Sequence, residues 1–115
     1  MSEKLTVYEK PTCTTCRNLA MLLQEKGYEF DRINYFIDPI GRPKLEELLR
    51  KMKAKPRDIM RLKEAKYHEL ALDDATDDEL LNALVQYPEL VQRPIVEKGD
   101  RAVLARPPEK VLEIL

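Results

Sequence analysis

Short apolar runs and helical spacings alternate along this chain in a readable order. Leu5-Thr6-Val7-Tyr8 predicts a short buried strand, and Glu9-Lys10-Pro11-Thr12 predicts a turn. From Cys13 to about Lys26, Leu19, Leu22 and Leu23 recur at helical spacing, and Gly27 suits the position just past a helix end. Tyr28 to Phe36 carries alternating apolar residues and predicts a second strand. These three elements make a β-α-β unit, which favours a parallel strand pair with a right-handed crossover.

The middle of the chain changes period. Residues from about 40 to 92 read as wholly helical. One helix starts near Pro43 with Leu45, Leu48, Leu49 and Met52 on one face, proline being tolerated at the first helical position. A short one follows Pro56, carrying Ile59 and Met60. A third opens on Thr76-Asp77-Asp78-Glu79, a capping box, and presents Leu80, Leu81, Leu84 and Val85. The end returns to strands. Pro94 to Lys98 and Arg101 to Ala105 flank Gly99-Asp100 and predict a hairpin with a two-residue turn. Pro107-Pro108 then opens a terminal helix bearing Val111, Leu112, Ile114 and Leu115.

Composition narrows the picture. A chain of 115 residues suits one domain with its own core. The 20 Lys and Arg nearly cancel the 21 Asp and Glu, so no basic field points to nucleic acid. No apolar stretch approaches the ~18 residues of a membrane span, and Met1-Ser2-Glu3-Lys4 lacks a signal-peptide layout. The expected location is the cytoplasm. There, a close cysteine pair points to redox or metal chemistry before it points to a structural disulfide.

Cys13-Thr14-Thr15-Cys16 is that pair, and it holds both cysteines of the chain. A thiol in the first turn of a helix faces unpaired backbone N–H groups and the positive end of the helix dipole, which favours thiolate. Cys13 is therefore the candidate nucleophile. Cys16, one turn later, is the candidate resolving thiol, able to attack a disulfide formed on Cys13. Two other readings stand beside this one. The pair could be half of a zinc site, although only His68 remains as a nitrogen ligand for a centre that needs four. The cysteines could also be inert small hydrophobes.

Arg93 and Arg106 flank the predicted hairpin, so pairing across Gly99-Asp100 would bring them to the same end. Arg61 lies on the helical segment and could reach over. Guanidinium forks suit tetrahedral oxyanions and stabilise a thiolate, though arginines without a motif are commonly solvated surface residues. Arg93-Pro94 is either a cis bond at a functional turn or an ordinary trans proline opening an edge strand. The basic stretch from Arg50 to Arg57 reads as a solvated helix face, the acidic residues near Thr76 as helix-start charges, and His68 as structural.

These residues together support a resemblance. Tyr8 to Asn18, with its Pro11-Thr12-Cys13-Thr14-Thr15-Cys16-Arg17 core, resembles the nucleophile loop of the glutaredoxin-coupled arsenate reductase (ArsC) family. Asp58-Ile59-Met60-Arg61 followed by Tyr67-His68-Glu69-Leu70 is similar to its middle arginine segment. Gln92-Arg93-Pro94-Ile95-Val96 and Ala105-Arg106-Pro107-Pro108-Glu109 are similar to its last two arginine motifs. The resemblance implies an α/β, thioredoxin-like fold with a mixed central sheet (β-α-β, a helical insertion at about 40–92, then β-β-α). It further implies that Cys13 attacks an oxyanion held by Arg61, Arg93 and Arg106, and that no cofactor is bound. In the family, arsenate esterifies the cysteine, glutathione attacks, and glutaredoxin resolves the mixed disulfide as arsenite leaves. The expected partners are glutaredoxin or thioredoxin, with glutathione or thioredoxin as external reductant and a small oxyanion as substrate.

Two departures set this chain apart. The reductases commonly carry His-Asn where this chain has Glu9-Lys10, and a carboxylate there opposes ionisation of Cys13 while Lys10 offsets it. They commonly carry Ser at the position of Cys16. Cys-Thr-Thr-Cys-Arg is more similar to Spx-type regulators, redox switches that contact RNA polymerase, but those lack the Ala105 to Glu109 ending. The expected function is thus an arsenate reductase-like thiol oxidoreductase. The alternatives are a general thiol–disulfide oxidoreductase and an Spx-like switch binding RNA polymerase.

Overall fold

The computed structural model describes residues 4–115 of the chain. Strand β1 (Leu5–Glu9) leads through a tight turn into helix α1 (Thr14–Glu25), and strand β2 (Phe30–Asn34) follows. Next come α2 (Arg42–Met52), α3 (Ala65–Glu69) and α4 (Asp77–Gln86), joined by 3-10 turns at Pro56–Ile59, Leu72–Asp74 and Pro88–Leu90. Strands β3 (Ile95–Lys98) and β4 (Arg101–Leu104) form the hairpin, and a 3-10 helix, Pro108–Glu113, closes the chain.

The four strands form one mixed sheet in the order β2-β1-β3-β4. β1 and β2 run parallel, with Leu5 opposite Phe30 and Glu9 opposite Asn34. β1 and β3 are antiparallel, with Val7 opposite Val96, and β3 pairs antiparallel with β4. This is the thioredoxin-like arrangement expected from the sequence, including the parallel β-α-β pair.

Strand alternation assigns the two faces. Leu5, Val7 and Val96 pack with Leu19 and Leu23 of α1 and with Val111 and Ile114 of the terminal 3-10 helix. Tyr8 and Ile95 point the other way, into a larger cluster with Leu45 and Leu48 of α2 and Leu80 and Leu84 of α4. The predicted apolar stripes of α2 and α4 are the ones that supply this core. Thr76 caps α4 as predicted: its hydroxyl accepts from the Glu79 N–H at 3.2 Å and the Glu79 carboxylate accepts from the Thr76 N–H at 2.9 Å. Gly27, at φ +77°, lets the Gly27 and Tyr28 N–H groups bond back to the Gln24 and Leu23 carbonyls at the end of α1, each at 3.0 Å. Gly99, at φ +58°, opens the hairpin turn.

Several boundaries differ from the sequence reading. Glu9, expected in a turn, is the last residue of β1 and is 2% exposed. β2 is shorter than residues 28–36. Tyr28 is taken by the helix end, and Asn34 starts a turn in which its side chain accepts from the Phe36 N–H at 3.0 Å. The 40–92 segment is not wholly helical: Met60 and Val91 form an antiparallel bridge. Around it, the Arg61 N–H donates to the Leu90 carbonyl, and the Gln92 N–H to that of Ile59, each at 2.8 Å. The last helix is 3-10 rather than α. Its Val111 and Ile114, three apart, eclipse one another on one side and both bury against the sheet.

Candidate functional site

The loop after β1 presents both cysteines. Cys13 is the N-cap of α1, extended at φ −79° and ψ 125°. Its N–H donates to the Lys10 carbonyl at 2.9 Å, and its carbonyl accepts from the Arg17 N–H at 3.0 Å, which locks the turn into the helix. Helix α1 itself starts at Thr14, so the Cys13 side chain projects over the open first turn. Burial works against its ionisation. The N–H groups of Cys16 and Thr15, the Cys16 thiol and the Arg93 guanidinium outweigh it, so the thiol lies below its ordinary value.

Cys16 is the opposite case. It is fully buried on the inner face of α1 and its thiol is pushed up to about 12, first by burial and further by Cys13 and the Glu9 carboxylate. One thiol of the pair is thus activated and the other silenced, and both are free. Among the described residues, no three His, Cys, Asp or Glu side chains gather as a metal donor set. His68 is exposed on α3, edge-on to Tyr67.

Cys13 opens into a cavity of about 740 Å³ whose walls include Thr14, Thr15, Arg61, Arg93 and Arg106. All three arginines singled out in the sequence therefore line one space with the Cys13 thiol. The hairpin brings Arg93 and Arg106 together, and Arg106 Nη1 donates to the Arg93 carbonyl at 3.0 Å. Arg61 is fixed through the backbone bridge between Met60 and Val91, which ties the helical segment to the entry of β3. Gln92 reinforces that tie, its Nε2 donating to the Met60 carbonyl at 2.8 Å.

Arg93 has the most telling surroundings. Its Nε and Nη1 are buried without a partner among the described residues. Its guanidinium lies 5.7 Å from the Phe36 ring centre, and it also faces the Tyr35 hydroxyl. Two unused donors on a buried cation are costly unless a ligand accepts from them. The Arg93-Pro94 peptide is cis, and so is Arg106-Pro107, which the sequence reading did not anticipate. The strand Pro94 precedes is an inner one, not an edge.

Sequence reasoning missed Tyr35, Phe36 and Gln92, which support the arginines from distant positions. The Tyr35 hydroxyl donates to the Val91 carbonyl at 2.9 Å, a contact across 56 positions that no local pattern announces. The basic stretch is also less bland than expected. Arg57 donates to the Tyr67 hydroxyl and to the Leu72 and Asp73 carbonyls, stitching the helical segment together.

The comparisons with known proteins agree with one another. The uncharacterized protein YfgD of Escherichia coli strain K12 is 36% identical, matching 100% of this chain and 99% of its own. An arsenate reductase of the same organism is 38% identical over 96% of this chain and 80% of its own. The solved structure of an arsenate reductase from Vibrio cholerae superposes with a TM-score of 0.95 at 35% identity, covering 100% of both chains. The profile of the ArsC family matches residues 8–114, nearly the whole length, and the chain belongs to that family.

Proposed function

We propose that this protein is a thiol-dependent arsenate reductase with Cys13 as nucleophile. The observation that carries the reading is Arg93, whose unused buried donors share a cavity with the Cys13 thiol, Arg61 and Arg106. A tetrahedral oxyanion would satisfy those donors and lie within reach of the thiolate. The lowered Cys13 thiol supplies the thiolate that attacks arsenic, forming an S–As bond as an oxygen leaves as water. The Cys16 thiol then attacks the Cys13 sulfur. An S–S bond forms, the S–As bond breaks with its electron pair passing to arsenic, and arsenite departs. Glutaredoxin with glutathione, or thioredoxin, reduces the resulting Cys13–Cys16 disulfide. This reading puts the protein in the cytoplasm, where such reductants keep thiols reduced.

A second reading has its own support: a cavity of about 740 Å³ is roomier than an oxyanion requires, so a glutathione or peptide disulfide is the competing substrate. Arsenate-dependent NADPH oxidation, with glutaredoxin and thioredoxin systems supplied separately, tests the proposal. Wild type should turn over and Cys13→Ser should not. Arg93→Ala should lose about a hundredfold with arsenate but far less on a small disulfide, where only its help to the Cys13 thiolate is lost. Wild type inactive on arsenate in both systems, but active on disulfides, would replace the first reading by the second.

A further inference from the structure

Arg93 has two tasks that pull against each other. It must be held still, and it must keep its charge and its donors open to an oxyanion. A carboxylate would orient the guanidinium, but it would also neutralise the charge and occupy the same N–H groups. The other two arginines of the cavity are already engaged. Arg61 stands 3.8 Å from the Glu64 carboxylate, and Arg106 Nη1 donates to the Arg93 carbonyl at 3.0 Å. Among the described residues, no carboxylate lies within ion-pair reach of Arg93.

The Phe36 ring resolves the conflict. The Arg93 guanidinium lies 5.7 Å from its centre, within the range at which the negative face of a ring attracts a cation. That attraction holds the group while Nε and Nη1 stay unspent. The ring is itself fixed, half-buried against the α2 side of the sheet. Asn34 closes the turn beneath it. Its side chain accepts from the Phe36 N–H at 3.0 Å, and its carbonyl accepts from the Ile37 and Asp38 N–H groups at 3.0 and 2.9 Å. The neighbouring Tyr35 ring, 5.1 Å away centre to centre, is anchored through its hydroxyl to the Val91 carbonyl, two residues before Arg93. One turn therefore grips the approach to β3 by both backbone and side chain.

The same ring also meets the nucleophile loop. The Lys10 ammonium lies 4.8 Å from the ring centre, and the Lys10 carbonyl accepts from the Cys13 N–H at 2.9 Å. Two cations from distant parts of the chain thus take their position from one aromatic side chain. One belongs to the loop that carries the thiol, and the other is the arginine with open donors. A leucine at this position would fill much of the space but has no negative face to offer.

We propose that Phe36 is a positioning residue for the chemistry at Cys13: its ring sets the Arg93 guanidinium beside the thiol with charge and donors uncommitted. The inference rests on Arg93 binding an oxyanion, as proposed above.

Protection of Cys13 tests the arrangement before any turnover. Iodoacetamide alkylates Cys13 in the reduced protein, and bound arsenate should slow that reaction. Phe36→Leu should raise the arsenate concentration for half-protection roughly fivefold, and Phe36→Tyr, which keeps the ring, should stay within about twofold of wild type. Without arsenate, Phe36→Leu should move the pH profile of alkylation upward, because a displaced guanidinium no longer favours the thiolate. Arg93→Ala should move it in the same direction, and adding Phe36→Leu to Arg93→Ala should move it no further. Circular dichroism and urea unfolding confirm that each variant is folded, and Phe36→Met, equally ringless, serves if Phe36→Leu does not fold. Protection that is unchanged in Phe36→Leu, or equally weakened in Phe36→Tyr, overturns the proposal. So do pH shifts that add in the double variant, since the ring would then act by packing alone. Wild type that arsenate does not protect removes the oxyanion role of Arg93 and this inference with it, whereas a protected wild type with an unaffected Phe36→Leu leaves that role intact.

Discussion

Each face of the sheet buries one carboxylate, Glu97 on the α2 side and Glu9 on the α1 side. Glu97 receives the Tyr8 hydroxyl at 3.1 Å and the ammonium groups of Lys44 and Lys51, while Glu47 bridges the same two lysines at 2.9 and 3.1 Å. Glu9 has Arg32 alone and an oxygen to spare. Both residues face the same desolvation cost. One is met in full and can only hold the fold together. The other is met by half, at a cost in stability. Burial by itself does not say what a carboxylate does; how fully its oxygens are satisfied separates these two.

The largest effect expected from this contrast lies at the cysteines. Iodoacetamide at neutral pH should label Cys13 at least about a hundredfold faster than Cys16 in the folded, reduced protein. Peptide mass spectrometry quantifies both, and comparable labelling would erase the difference between the two thiols.

Next comes stability. Glu97→Gln leaves Lys44 and Lys51, the latter only 20% exposed, with Glu47 as their one carboxylate, and should cost about 2 kcal/mol in urea unfolding. The same change at Glu9 leaves behind a half-exposed Arg32 and should cost about 1 kcal/mol or less. Equal losses would mean that the two carboxylates do the same structural work.

The smallest effect is a pH dependence. Hydrogen bonds from Lys44 and then Lys51 hold Glu47 at about 2, below its ordinary 4.5. A folded-state value below the unfolded one means that this contribution is complete above pH 4.5 and fades as pH falls toward 2. Urea midpoints of wild type should drop across that window, and those of Glu47→Gln should drop less. Parallel curves would take Glu47 out of the cluster.

Much of this architecture was legible in the chain because it is written locally. The Thr76 capping box, the two-residue hairpin turn and the stripes of α2 and α4 each declare themselves within about ten residues. Placing Cys13 at a helix start and Arg93 and Arg106 at one hairpin end needed nothing more. The parts that stayed hidden depend on distant partners. Glu9 read as a turn residue because charge ordinarily faces water, and its partner Arg32 lies 23 positions away on another strand. Tyr35 and Phe36 read as the end of a strand, yet they brace Arg93. The short α3 and the 3-10 form of the last helix are set by packing rather than by propensity.

The bridge between Met60 and Val91 carries one more consequence. The chain from 62 to 90 leaves the site and comes back to the same spot, with α3 and α4 hung between two stitched ends. Loop closure entropy grows only slowly with length. Residues could be added at the exposed turn of Leu70 and Ala71, away from the core side chains of α4, while Arg61 and Arg93 kept their spacing. A tag or reporter inserted at that turn would enlarge the lobe without moving the two arginines of the pocket.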